Sequence, residues 1–188
     1  MKKIPTLFKR DYENTRLVFD EITPGCEWVI EGIGTATRKF DGTACMIKDG
    51  KLFKRYDCKI KSGKQPPEGF IPCQDPDPIT NHWPGWIPIG NGPDDKYHRE
   101  AFVGEYKDGT YELCGPKING NPEKFDKHIL VPHGEELIPL RQCLRNFEGL
   151  KELLSCYDIE GIVFHSPDGK MCKIKKRDFG IKREDKRK

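Results

Sequence analysis

Apolar and polar positions alternate along this chain in short runs separated by Gly, Pro and Asp, a pattern that predicts strands more often than helices. Thr43 to Lys48 and Lys51 to Tyr56 flank Asp49-Gly50, a strong two-residue hairpin signal. The device recurs twice. Phe102 to Lys107 and Thr110 to Cys114 flank Asp108-Gly109, and Gly161 to His165 and Lys170 to Lys175 flank Ser166-Pro167-Asp168-Gly169. Together these turns predict antiparallel sheets. Upstream, Leu17 to Ile22 reads as a short element closed by Thr23-Pro24-Gly25, and a β-rich run extends from Trp28 to Thr37. Phe147, Leu150, Leu153 and Leu154 recur at helical spacing behind Asn146, a candidate N-cap, and predict a short amphipathic helix ending near Cys156. Residues 61–100, rich in Pro and Gly and holding His82, Trp83 and Trp86, read as a long irregular stretch, either a lid or substrate wall or a packed loop. The expected class is α+β.

Composition narrows the picture. A chain of 188 residues is long enough to bury a core without help from metal or disulfides, so residues 1–180 are expected to form one domain and 181–188 a basic tail. The mean hydropathy of −0.74, the lack of a long apolar run and the Met-Lys-Lys-Ile-Pro start argue for a soluble, non-secreted, cytoplasmic protein with no membrane span. Eight cysteines occur without any Cys-x-x-Cys, which predicts buried or half-buried thiols in place of zinc or a disulfide framework. The five histidines show no ligand spacing and are expected to be structural or on the surface. The net charge of +3 hides an asymmetry: from residue 173 onward nine Lys/Arg stand against three acids, leaving residues 1–172 at −3. Lys182, Arg183, Lys186, Arg187 and Lys188 are thus expected to form a free arm that tracks a polyanion, the alternative being a solvated tail.

The most specific signal is Lys39-Phe40-Asp41-Gly42, set between two strand-like runs, where Lys39 is expected in a loop with its amine facing a cleft. This Lys-x-Asp-Gly box resembles the adenylylated-lysine motif of the covalent nucleotidyltransferases, the superfamily of ATP-dependent RNA ligases, DNA ligases and mRNA capping enzymes. Further segments follow in the family's order. Phe53-Lys54-Arg55-Tyr56 supplies an arginine where the family places a phosphate or ribose contact. Thr110-Tyr111-Glu112-Leu113-Cys114-Gly115 looks like its central acidic motif, Asp158-Ile159-Glu160-Gly161 like its Glu-Gly motif, and Lys173-Ile174-Lys175 like its closing Lys-x-Lys strand. Arg55-Tyr56-Asp57-Cys58-Lys59, His82-Trp83-Pro84-Gly85-Trp86, Gly115-Pro116-Lys117 and the run from Lys175 to Gly180 look further like a small family of 5′-to-3′ RNA ligases that lack an obvious oligonucleotide-binding-fold domain.

The resemblance implies a nucleotidyltransferase domain of antiparallel sheets with short flanking helices around an ATP cleft. It implies Lys39 as nucleophile and Lys39, Arg55, Glu112, Glu160, Lys173 and Lys175 as ATP contacts. Mg²⁺, with Mn²⁺ as a substitute, would be held by Asp41, Glu112 and Glu160, because a hard cation prefers oxygen ligands. The partner implied is RNA with 5′-phosphate and 3′-hydroxyl ends, and no protein partner is implied. The chemistry needs these residue types. A lysine amine with a reference pKa near 10.4 is neutral at pH 7 only at a cost of roughly 4.6 kcal/mol. Lys173 and Lys175, two apart on one strand, point to one face and can lower that cost.

Several readings stay open. Glu112 could be the cross-strand partner of a lysine, and Arg55 could sit in a surface salt bridge. DNA ligases usually carry Arg five residues after the nucleophile, where this chain has Ala44, so RNA ligase is favoured over DNA ligase. The aromatic of the base pocket has no clear counterpart, with Ile129-Leu130-Val131 and Phe125 as candidates. No further domain follows the Lys-x-Lys strand in this sequence, which leaves the grip on RNA to the basic arm. The competing functions are a GTP-dependent capping-type guanylyltransferase and a non-catalytic nucleic-acid-binding module.

Overall fold

The computed structural model describes residues 2–60 and 65–183. Residues 61–64 of the Pro/Gly-rich stretch and Lys186, Arg187 and Lys188 of the expected arm lie outside the described residues. In chain order the elements are β1 (Phe8–Arg10), β2 (Val18–Ile22), α1 (Glu27–Ile30), β3 (Thr35–Lys39), β4 (Thr43–Lys48), β5 (Lys51–Lys59), β6 (Ile71–Pro72), β7 (His82–Pro88), α2 (Lys96–Ala101), β8 (Gly109–Cys114), β9 (Ile129–Pro132), α3 (Phe147–Cys156), β10 (Gly161–His165) and β11 (Met171–Lys175). This is an α+β arrangement of antiparallel sheets with few helices. The residues expected as one domain divide into two compact units, one built on Asp41–His133 and the other on Lys3–Phe40 with the chain from Gly134 onward.

The unit on Asp41–His133 is a six-stranded sheet in the order β6-β7-β5-β4-β8-β9, every pair antiparallel. The β4–β5 hairpin forms as the alternation predicts, with Lys48 opposite Lys51 across Asp49-Gly50, both at positive φ as a tight primed turn requires. The second expected hairpin does not form. β8 has β4 on one side and β9 on the other, so no edge remains for residues 102–107, and Phe102 and Tyr106 instead stack on each other and pack against the core of Cys45, Ile47, Leu52, Tyr111 and Leu113. The stretch expected to be irregular contains β7, paired with β5 along seven residues from Phe53↔Pro88 to Lys59↔His82, together with α2. Two prolines and a glycine in β7 hide its strand character from any propensity argument.

The other unit carries the three-stranded sheet β11-β10-β3 and the ribbon β1-β2. Its third hairpin, β10–β11, has the expected register, Gly161↔Lys175 to His165↔Met171. One face of this sheet presents Ala36, Ile162, Phe164, Cys172 and Ile174 to the core, and α3 covers them with Leu150 and Leu154, both fully buried. Asn146 caps α3 by accepting the Gly149 N–H at 2.9 Å. Truncating Leu154 to alanine should cost about 2–5 kcal/mol in a denaturant melt, because a fully enclosed isobutyl group leaves a cavity. The run from Trp28 to Thr37 is only partly strand. Its first residues form α1, which buries Val29 and anchors Trp28 through an indole N–H bond to the Gly25 carbonyl at 3.0 Å.

Two side-chain arrangements differ from expectation. Cys26 and Cys172 form a disulfide across 146 residues of sequence, buried in this core, whereas Cys143 and Cys156 are exposed and not half-buried. A pairing so distant has no local spacing to reveal it. Arg183, expected in a free arm, is tied down: its Nε donates to Asp158 Oδ1 at 3.1 Å and its guanidinium to the Asp158 carbonyl at 3.0 Å. No helix among the described residues is long and apolar enough to cross a membrane.

Candidate active site

Lys39 is the last residue of β3, not a loop residue. The ladder places Lys39 opposite Gly161, and Gly161 in turn opposite Lys175, so the three share one row of the sheet. Paired residues project to the same face, and here it is the face opposite the apolar core. Gly161 is required for this: a Cβ there would lie 2.2 Å from the Ile174 carbonyl oxygen and 2.8 Å from Lys175 Cα. The bare centre lets Glu160, the residue before β10, reach both flanking lysines. Its Oε2 accepts from Lys39 Nζ, and its Oε1 lies 3.3 Å from Lys175 Nζ. Lys39 also donates to the Phe40 carbonyl at 3.2 Å. In the next row Val163 separates Thr37 from Lys173.

Three lysines around one carboxylate leave excess positive charge in a partly desolvated patch, and the electrostatics record it. Burial pushes the Lys173 ammonium down to about 8, helped by the charges of Lys175 and Lys39. Burial also lowers Lys175, with Lys39 and Arg177 acting in the same direction and Glu160 opposing them. The backbone beneath is held firmly. Lys173 is bracketed by the Pro5 carbonyl at 3.0 Å and the Leu7 N–H at 2.8 Å. The Lys175 N–H donates at 2.9 Å to Asp178, which is itself buried and paired with Arg10. The arrangement suits an anion with several charges, such as a polyphosphate, and sets a primary amine beside it.

In the Asp41–His133 unit, Glu112 on β8 is nearly buried and both its oxygens are engaged. Oε1 accepts the Gly42 N–H at 3.1 Å and Oε2 bonds His133 Nε2 at 2.8 Å. It is therefore not the cross-strand partner of a lysine. Its neighbours across the ladder are Ala44 and Val131. Gly42 passes so close to β8 that a Cβ would lie 2.2 Å from the Leu113 carbonyl oxygen, which accounts for the glycine of the Lys-x-Asp-Gly box. Asp41 Oδ1 accepts from Asn119 Nδ2 at 2.9 Å, and the Asp41 N–H donates to Glu123 Oε1 at 2.8 Å. The Arg55 guanidinium lies over the Trp86 ring, 5.1 Å from its centroid, and donates to Cys73 Sγ at 3.0 Å. Of the base-pocket candidates, Leu130 is a core residue.

Sequence reasoning missed Asn119, Glu123, His133 and Asp178. Each lies within or close to a motif segment, yet nothing in a single sequence says which backbone amide or carboxylate it will meet. Metal binding narrows too. Among the described residues no three His, Cys, Asp or Glu side chains gather closely enough to hold an ion, and the carboxylates of Glu112 and Glu160 already meet protein donors. This donor set does not fit a metal caged by protein ligands.

Comparison with known proteins points the same way as this geometry. The sequence profile of the RNA ligase 1 family matches residues 99–187. The chain is 30% identical over 166 residues to RNA ligase 1 of Pongo abelii, covering 63% of this chain and 49% of that protein. The chain is thus similar to RNA ligase 1 over part of its length. The mouse protein, RNA ligase 1 of Mus musculus, is 29% identical over 160 residues with the same coverage, and that of Danio rerio is 35% identical over 80 residues, 39% of this chain and 25% of its own. The chain spans about half the length of the mammalian RNA ligase 1 proteins it matches. The profile match takes in Glu112, Glu160, Lys173 and Lys175, while Lys39, Asp41 and Arg55 precede it.

Proposed function

We propose that residues 1–180 are the nucleotidyl-transfer portion of an ATP-dependent RNA ligase. The observation that carries the reading is the cluster of Lys39 and Lys175 around the Glu160 carboxylate with Lys173 beside it, on a chain similar to RNA ligase 1. In the first step Lys39 Nζ, having lost its proton, attacks the α-phosphorus of ATP. An N–P bond forms, the bond to the bridging oxygen breaks, and pyrophosphate leaves. In the second, an oxygen of an RNA 5′-phosphate attacks the same phosphorus and releases Lys39. In the third, an RNA 3′-hydroxyl attacks the 5′-phosphate and AMP departs.

The protein's share of this work is positioning and charge. Lys173 and Lys175 draw the phosphates onto the face that carries Lys39. Glu160 is the base within reach of the Lys39 proton before the nucleotide arrives. Arg55 is assigned a phosphate or ribose contact. Mg²⁺, or Mn²⁺ in its place, would neutralise phosphate charge, with Asp41, Glu112 and Glu160 as its proposed water-mediated contacts. The test uses RNA ends. With ATP and Mg²⁺, a 5′-phosphate, 3′-hydroxyl RNA should give first AMP-capped RNA and then a joined strand, and a 5′-hydroxyl RNA should give neither. Joining of 5′-hydroxyl ends, or joining without a nucleotide triphosphate, would overturn the reading.

A further inference from the structure

The peptide linking Phe40 to Asp41 is held at both ends. Its carbonyl oxygen accepts from Lys39 Nζ at 3.2 Å, and its N–H donates to Glu123 Oε1 at 2.8 Å. A peptide group is planar and no cis bond occurs among the described residues, so the N–H and C=O of this unit point in opposite directions and turn together. Fixing the N–H therefore fixes the direction of the carbonyl, and the carbonyl is one of the two acceptors that hold the Lys39 amine, Glu160 being the other. A carboxylate on the N–H also polarises the peptide and strengthens the carbonyl as an acceptor.

Glu123 is presented by a tightly turned loop. Asn119, Asn121 and Lys124 all adopt positive φ, between 48° and 59°, a region asparagine tolerates but that costs a residue such as Lys124 roughly 1–2 kcal/mol. The loop is braced from within: Asn121 Oδ1 accepts the Phe125 N–H at 3.0 Å and Asn121 Nδ2 donates to the Phe125 carbonyl at 3.0 Å. Its other functional output is Asn119, whose Nδ2 donates to Asp41 Oδ1 and to the Gly42 carbonyl, each at 2.9 Å. With Glu112 taking the Gly42 N–H, the backbone just after Lys39 is held at successive groups by side chains, none of them part of its own strand. A loop turned and braced in this way, with its side chains directed at two residues of backbone, is organised around that backbone.

We infer that Glu123 is a positioning residue for Lys39, acting through the Phe40–Asp41 peptide. The inference rests on Lys39 being the nucleophile. Without Glu123 the peptide plane is free to turn, and the amine loses a fixed acceptor and its aim. The chemical step suffers while nucleotide binding, which rests on the other lysines, does not.

The test measures covalent nucleotide incorporation in single-turnover mixing with ATP and Mg²⁺, alongside the NMR shift of the Asp41 amide proton in the free protein. Glu123→Ala should lower the rate constant at saturating ATP about tenfold and change the half-saturating ATP concentration less than about twofold. Glu123→Gln, which keeps a carbonyl acceptor in the same place, should recover most of the rate. The Asp41 amide proton, shifted downfield by a carboxylate partner, should move upfield in the alanine variant. If that variant does not fold, Glu123→Asp, a methylene shorter, replaces it with the same expected losses. An alanine or aspartate variant with the parent's rate constant and an unmoved Asp41 amide overturns the inference, as does a loss confined to ATP half-saturation. A parent protein that takes up no nucleotide overturns the reading of function on which the inference rests, and the two failures are told apart by that control.

Discussion

Lys39→Ala is expected to abolish the proposed covalent nucleotide adduct. The proposed reaction needs a primary amine where phosphates would be held, and the geometry places one at the end of β3, where Lys39 meets Glu160 on one side and the lysines of β11 beyond it. The competitor to consider is Lys173, whose ammonium is pushed down to about 8 by burial and by its neighbours Lys175 and Lys39. Removing Lys39 takes away one of those neighbouring charges, so Lys173 becomes harder to deprotonate and less able to substitute. Arginine at position 39 keeps the charge and the reach but stays protonated, so it gives no rescue. The check is nucleotide incorporation measured on the parent and both variants. An adduct of undiminished yield in Lys39→Ala would remove the basis of the account.

Lys173→Met separates activity from stability, and moves them in opposite directions. Nucleotide transfer should fall by about two orders of magnitude or more, because a cation aimed at developing phosphate charge is lost. The fold should become more stable at pH 7. The sign follows from linkage: in the unfolded chain the group titrates near its usual 10.5, in the folded protein near 8. Between those values the unfolded state binds more protons, so stability rises with pH, and below about 8 the full cost of burying the ammonium is carried. Methionine fills the same space without a charge and relieves that cost. Its melting temperature should exceed the parent's by about 2–4 °C per kcal/mol gained, and the difference should shrink as the pH is raised from 8 toward 10.5. A variant that melts lower than the parent at pH 7 would mean that Lys173 serves the fold and not the site. Glu160→Ala, by contrast, leaves Lys39 and Lys175 without their shared counter-charge and should lower both activity and stability.

The sequence was legible where local signals and the fold agree. The β10–β11 hairpin and its register follow from the Ser-Pro-Asp-Gly turn and strict alternation, and with them comes the placement of Lys173 and Lys175 on one face. α3 follows from leucine spacing behind an asparagine cap. What remained hidden depends on partners distant in the chain. β7 carries Pro84, Gly85 and Pro88, so it reads as a loop until β5 is laid beside it. Residues 102–107 read as a strand, but β4 and β9 already occupy both edges of β8. The site divides in the same way. Lys39, Glu160, Lys173 and Lys175 belong to motifs, and the sheet register brings them together. Asn119, Glu123 and His133 act on backbone amides or on another side chain, and no spacing rule announces a glutamate that bonds an amide 82 residues earlier.

The most direct test of the central claim is the intact mass of the protein after incubation with ATP and Mg²⁺, followed by mapping of the modified peptide. The account predicts a gain of one AMP, borne by the peptide that contains Lys39. No gain with ATP, a gain of GMP from GTP alone, or an AMP mapped to another residue would contradict it.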